Sequence, residues 1–139
     1  MALATARDNR AWSAPVYYVF HKSGFYFFSD PMSRHIQESG MSTQASATIY
    51  PSVSTWQEIR GVQMSGSIEG VFPGLEAIHA IRAYLRKFPF TKEFFKPGAS
   101  LDLVSFGERF KVRLYRFDPQ LIYYLDNGIR FGFRQEVIL

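Results

Sequence analysis

The chain has no cysteine. That one absence removes disulfide scaffolds, thiolate metal centres and cysteine nucleophiles together. No apolar run approaches the roughly 20 residues of a membrane-spanning helix, and the opening MALATARDNR has no apolar core of the kind a secretory signal carries. The expectation is a cytoplasmic protein with no membrane contact. Phosphate loops are missing too: neither G-x-x-x-x-G-K-[ST] nor a G-x-G-x-x-G after a strand occurs, which argues against nucleoside triphosphate chemistry. A serine-hydrolase elbow is absent, since Gln63-Met64-Ser65-Gly66-Ser67 lacks the first glycine. The three histidines, His21, His35 and His79, have no spacing that suggests a zinc cluster, and carboxylate ligands would have to come from distant segments. No paired carboxylates stand out either. Either the protein does no chemistry, or a bound cofactor supplies it.

What is present points to a β-rich domain. At 139 residues the chain is expected to form one domain, 1–139, with a real core. Aromatics reach 17%, with 14 Phe and 8 Tyr, which suits pleated surfaces, an aromatic-lined pocket or a subunit interface. Sixteen Lys and Arg against 12 Asp and Glu leave a net charge of +4. This excess is too small and too scattered to argue for nucleic acid, but it suits one phosphorylated small molecule.

Read in order, residues 3–6 predict a first strand ending at the polar turn Arg7-Asp8-Asn9-Arg10. Residues 14–20 predict a second strand with Pro15 near its start, and Lys22-Ser23-Gly24 a hairpin turn into the aromatic strand 25–29. A short helix over 33–38 is followed by a strand at 45–50, a Ser/Pro loop at 51–55 and a long strand at 58–71. The last is interrupted by Gly61, Gly66 and Gly70, the mark of bulges and barrel corners. Residues 74–88 form an amphipathic pattern with Leu75, Ile78, Ile81, Leu85 and Phe88 on the expected core side. His79 lies beside these positions and reads as a packed or boundary residue. Pro89 stops the helix, a helical turn is expected at 91–95, and a break at Pro97-Gly98. Strands at 109–117, 120–126 and 129–133 finish the chain, separated by Asp118-Pro119 and Asn127-Gly128. There is no internal repeat, low-complexity tract or linker. Eight or so strands without a strand-helix rhythm predict a mainly β fold, a small closed or split antiparallel barrel with one main amphipathic helix.

The stretch Phe25-Tyr26-Phe27-Phe28-Ser29-Asp30-Pro31-Met32-Ser33-Arg34-His35-Ile36-Gln37-Glu38 is the most informative. An aromatic strand breaks at Asp30-Pro31 and restarts as a helical turn that Ser33 can cap. A hydroxyl, a guanidinium and an imidazole at a helix start suit a phosphate. An ordinary strand, turn and capped helix, with Arg34 and His35 solvated, fits the same residues.

The order of segments resembles the pyridoxamine-5'-phosphate-oxidase-like superfamily of FMN-binding split barrels, and within it a small bacterial single-domain branch. The resemblance runs through Leu3-Ala4-Thr5, Trp12-Ser13-Ala14-Pro15-Val16-Tyr17-Tyr18, Phe28-Ser29-Asp30-Pro31-Met32-Ser33-Arg34-His35 and Trp56-Gln57-Glu58-Ile59-Arg60-Gly61-Val62-Gln63-Met64-Ser65-Gly66. It continues through Arg82-Ala83-Tyr84-Leu85-Arg86-Lys87-Phe88-Pro89 and Leu125-Asp126-Asn127-Gly128-Ile129-Arg130-Phe131-Gly132-Phe133. It implies a homodimeric flavoprotein with FMN at the subunit interface. Pro15, Val16 and Tyr17 would line the isoalloxazine, Phe28 and Ser29 would lie beside the ring and ribityl chain, and Ser33, Arg34 and His35 would hold the phosphate. Trp56 and Gln63 would reach the flavin from the partner subunit; for Gln63, an outward-facing strand residue is the equal alternative.

Two departures from that pattern matter. His35 stands where many relatives carry lysine, so the phosphate group would gain a hydrogen bond without a full charge. The chain ends Phe133-Arg134-Gln135-Glu136-Val137-Ile138-Leu139, without the Arg-x-His ending of the vitamin-oxidising members. Arg134 reads as a solvated terminal arginine. The implied function is an FMN-dependent oxidoreductase acting on an unidentified small substrate. The alternative is a split barrel that binds flavin or haem without turnover, and a third reading is a β-rich adaptor without ligand.

Overall fold

The computed structural model describes residues 1–42, 44–94, 107, 108 and 110–139. Among the described residues the elements follow one another as β1 (Ala2–Arg7), β2 (Arg10–Pro15), β3 (Tyr18–His21), β4 (Gly24–Ser29), α1 (Arg34–Ser39), β5 (Ala45–Ile49), β6 (Arg60–Gly70), α2 (Leu75–Lys87), β7 (Arg113–Asp126) and β8 (Arg134–Glu136). Short 3-10 turns cover Trp56–Glu58 and Pro89–Phe94. The strands form one antiparallel sheet in the order β2-β1-β5-β6-β7-β4-β3, with β8 added to β7. The fold is an antiparallel split β-barrel with one main helix.

The split falls where strand 14–20 is expected to be continuous. β2 ends at Pro15 and β3 starts at Tyr18, and these two consecutive strands form opposite ends of the sheet. Val16 leaves the strand line to exchange bonds with the chain start: its N–H donates to Met1 O at 2.9 Å, and the Met1 ammonium donates to Val16 O at 3.2 Å. The two flanking hairpins use two-residue turns with left-handed backbone, Asp8-Asn9 and Lys22-Ser23, whose twist matches that of the strands they join. In the second hairpin Gly24 is already a strand residue, paired with His21.

Three further expectations are corrected. Asp118-Pro119 does not turn the chain; β7 runs straight through it, opposite a register shift at Ser65/Gly66 of β6. A bulge accommodates a proline that cannot donate to the ladder. Gly66 is required there, because a Cβ would collide with the carbonyl of Asp118. Residues 129–133 form no strand. Asn127 organises them as a turn, accepting from Gly132 N–H at 3.0 Å and donating through Nδ2 to Trp56 O at 3.1 Å, and the last strand starts at Arg134. The helix is also rotated from the expected face: Ile81 and Leu85 are buried as expected, but together with Ala77, Ala80 and Tyr84, while Leu75 and Ile78 are exposed. This face packs over Val19, Tyr26 and Leu114. His79 is accordingly exposed, its ring 5.9 Å from that of His21. The expected break at Pro97-Gly98 and the strand start at Arg109 lie outside the described residues.

β4 divides the interior. Phe25 and Phe27 point into the barrel with Leu3, Met64, Tyr115, Phe117 and Ile122, and Tyr26 points to the layer under α2. That alternation follows from the period of two in a strand, and it carries Ser29 to the barrel side.

Candidate functional site

Ser29 ends β4 on the barrel face and is buried. The chain then turns on Asp30, whose Oδ1 accepts the Met32 N–H at 2.8 Å and whose carbonyl accepts the Ser33 N–H at 3.0 Å. Pro31 sits in this turn as expected, and it delivers Ser33 and His35 back over Ser29. Ser29 Oγ and His35 Nε2 share a hydrogen bond of 2.8 Å, Ser29 Oγ and Ser33 Oγ lie 3.1 Å apart, and Ser33 Oγ is 3.4 Å from His35 Nε2. Ser33 occupies the N-cap position, yet its side chain makes no cap bond. This corrects the expected capping role: the hydroxyl is turned to the imidazole and Ser29 instead. Burial lowers the proton affinity of His35 below the ordinary imidazole value, against a weaker pull upward from Glu38, so the ring is neutral near pH 7. A six-residue helix brings only a small dipole, so the side chains define this cluster.

Arg34 leaves on the other side of α1. Its Nε donates to Glu38 Oε1 at 2.6 Å, and its guanidinium carbon stands 4.7 Å from the centre of the Trp12 ring. Glu38, with a side chain only 5% exposed, also accepts from Thr5 Oγ1 at 2.6 Å. Those bonds from Thr5 and Arg34 hold its carboxyl below the usual carboxylate range. The guanidinium is thus gripped between a carboxylate and a ring while remaining partly exposed, and its Nη groups make no hydrogen bond among the described residues. No motif marks Thr5, Trp12 or Glu38 as partners of Arg34; the i, i+4 spacing of Arg34 and Glu38 alone signals that pair in the sequence.

The remaining candidates are spread over the surface. Pro15 is exposed at the end of β2, Val16 is partly buried against the barrel core, and Tyr17 is exposed with its ring edge-on to Phe88 at 5.3 Å. Phe28 faces α2, edge-on to Tyr84 at 5.0 Å, on the side of β4 opposite Ser29. Trp56 is half exposed in its 3-10 turn beside Phe131. Gln63 is exposed on the outer face of β6, paired in register with Thr48 and Tyr123. It borders a shallow cavity of about 270 Å³ with Tyr50, Ile59 and Val62. The structure therefore brings Ser29, Ser33 and His35 together, with Arg34 beside them, and leaves Tyr17, Phe28, Trp56 and Gln63 apart within one chain. Arg134 is exposed in β8. No helix among the described residues is long and apolar enough to cross a membrane, and no group of three metal-ligating side chains occurs among them.

No family model matches the chain. A protein called UPF0306 protein YhbP from Salmonella arizonae is 36% identical over 84 residues, covering 59% of this chain and 56% of that protein. The YhbP of Escherichia coli is 29% identical over 126 residues, covering 88% of this chain and 82% of that protein. The match thus spans little more than half of the Salmonella relative. Among solved structures, the heme binding protein from Mycobacterium smegmatis superposes with a TM-score of 0.72 at 19% identity, over 98% of this chain and 51% of that one. HutZ, the heme storage protein of Vibrio cholerae, gives 0.67 at 13% identity over 86% and 80%. An FAD-binding protein from Mesorhizobium loti gives 0.63 at 17% identity over 87% and 80%. At these identities the likeness establishes a shared split-barrel fold.

Proposed function

We propose that this chain is a cofactor-binding split-barrel protein of the pyridoxamine-5'-phosphate-oxidase-like superfamily, that its cofactor is FMN, and that it acts as an oxidoreductase. The observation that carries this reading is the convergence of Ser29, Ser33 and His35 within 3.4 Å of one another, with a clamped, half-open Arg34 next in the chain. Hydroxyl, imidazole and guanidinium are the donor set a phosphate monoester needs, so the residues present fit the group. In this reading Arg34 supplies the charge, Ser33 and Ser29 supply hydroxyl donors, and neutral His35 adds one hydrogen bond. Bound FMN would supply hydride or single-electron transfer. Pro15, Val16, Tyr17 and Phe28 would complete the ring site, and Trp56 and Gln63 would reach it from a second copy. The exposed Tyr50, Ile59, Leu121 and Tyr123 around Gln63 support such a dimer face.

A haem-binding module without turnover is the second reading. It is favoured by two neighbours described as a heme binding and a heme storage protein, and by the exposed imidazole of His79 beside His21.

The visible spectrum of protein titrated with FMN and, separately, with haemin separates the readings. Bound flavin with Arg34→Ala weakening FMN by roughly ten- to a hundredfold, the scale of one charge-assisted hydrogen bond of about 1.5–3 kcal/mol, supports the first. A Soret band lost in His79→Ala supports the second. Unchanged FMN affinity in Arg34→Ala removes the phosphate assignment.

A further inference from the structure

We infer that the mouth of the barrel at the start of β7 is a second ligand site, and that its ligand is a small planar aromatic anion, a carboxylate or sulfonate. The inference is independent of the cofactor reading. A cavity of about 660 Å³ opens between the β4–α1 turn at Pro31, the loop after β6 and the start of β7. That volume is in the range that small-molecule sites occupy.

Its walls are apolar and aromatic. Val71, Phe72, Leu114 and Tyr115 line it, and Phe72 is 86% exposed, an unusual degree for a phenylalanine with no polar tip to present to water. The wall is held rigidly: Val71 N–H donates to Leu114 O at 2.9 Å. Tyr115 is paired in register with Phe27 and stacks on its ring, the centroids 5.9 Å apart. A preformed apolar slot of this kind suits a flat ring, because little ordering is needed on binding.

The rim sets the charge. Among the described residues Lys111 and Arg113 both line the cavity against a single acid, Glu108, and neither cation has an ion-pair partner there. Lys111 is held with left-handed backbone at φ 54°, a conformation rare outside glycine, asparagine and aspartate. Asp30 also bears on Tyr115 electrostatically, but its Oδ1 is already bonded within its own turn. Two uncommitted cations over an aromatic floor select an anion attached to a ring, with Arg113 suited to a bidentate carboxylate or sulfonate. Arg113 is also the cross-strand partner of Ser29, so a ligand here would lie beside the hydroxyl and imidazole cluster.

The test is calorimetric titration of the full chain with 2-naphthoate, against 2-naphthalenemethanol and 2-naphthylmethylamine as neutral and cationic controls. Naphthoate is expected to bind best, the double variant Lys111→Gln/Arg113→Gln to lose at least tenfold in affinity, and Phe72→Ala to weaken all three aromatics. All these side chains are exposed, so the melting temperature should stay near that of the parent. FMN affinity should be unchanged in Phe72→Ala, whose side chain is not part of the cluster, which keeps this site separate from the phosphate cluster. Absence of naphthoate binding at millimolar concentration overturns the inference, as does equal binding of the amine. Loss of naphthoate binding in Arg34→Ala but not in the Lys111/Arg113 variant overturns it too, by moving the ligand to the cluster.

Discussion

The two faces of β4 solve the same problem differently. On the barrel side, Phe25 and Phe27 lead to a polar end made of neutral groups, the Ser29, Ser33 and His35 cluster. On the α2 side, Tyr26 leads to an ionic end: its hydroxyl donates to Glu76 Oε1 at 2.6 Å, and Arg116 lies 3.5 Å from the same carboxylate and 2.6 Å from Asp118. Glu76, Arg116 and Asp118 are partly exposed, so water shares the cost of their charges. At the barrel end Ser29 and His35 are buried while Ser33 stays partly exposed, and at the buried pair unpaired charge is expensive and neutral hydrogen bonds are favoured. One residue of alternation thus separates a cluster of neutral polar groups from an ionic network. Burial and the bond to Glu76 push the Tyr26 hydroxyl up to about 12, which keeps it a donor throughout the physiological range.

The sharpest way to break the barrel side alone is Phe27→Ala. Phe27 is fully buried, and its loss should cost about 3–5 kcal/mol, the usual cost of emptying a core of a phenyl ring, read by urea unfolding. Gly66→Ala comes next. Its Cβ would meet the Asp118 backbone, and the expected cost is about 1–3 kcal/mol, typical of overpacking. Gly70→Ala serves as control: a Cβ there meets nothing and should change stability by less than about 0.5 kcal/mol. Equal effects at the two glycines would show that the bulge does not depend on that close approach. On the α2 side, Tyr26→Phe removes one partly exposed hydrogen bond and should cost about 0.5–1.5 kcal/mol, well below Phe27→Ala.

Acid separates the faces most finely. His35 binds a proton less readily folded than unfolded, so its effect is absent well above pH 6.5 and stability falls as pH drops through that value, because the unfolded chain takes up the proton first. Melting temperatures between pH 8 and 5.5 should therefore decline less in His35→Gln than in the parent. An identical decline would remove His35 as the responsible group. Glu38 contributes in a lower window: its lowered affinity stabilises the fold above the ordinary value of 4.5, and this is lost as pH falls through the folded value.

Much of this arrangement is legible in the chain because it is local. Phe25-Tyr26-Phe27-Phe28 can hardly be other than a strand, Asp30-Pro31 must turn, and glycines at 61, 66 and 70 mark a curved strand whose bulge does fall at Gly66. What misleads is long-range. Leu75 and Ile78 have the right spacing for a core face, but spacing does not say which side of α2 meets Tyr26 and Leu114; Ala77, Ala80 and Tyr84 take those places beside Ile81 and Leu85. Asp118-Pro119 has the composition of a turn, and only the opposing Gly66 makes it a bulge in a continuous strand. Asn127-Gly128 breaks β7 as expected, yet the reach of Asn127 to Trp56, 71 residues away, turns the following residues out of strand.

The site divides in the same way. Ser29, Ser33, Arg34 and His35 are adjacent enough that strand period and turn chemistry alone bring them near one another. Which of them faces inward, and in what charge state, was decided by tertiary structure. Trp12 and Thr5 from the first hairpin, with Glu38, draw Arg34 outward into an ionic grip, while the barrel closes over His35 and makes the neutral ring the favoured form. Local sequence sets backbone direction and alternation, which are properties of a few consecutive residues. Burial and charge depend on which distant strands arrive to exclude water, and no short stretch of chain carries that information.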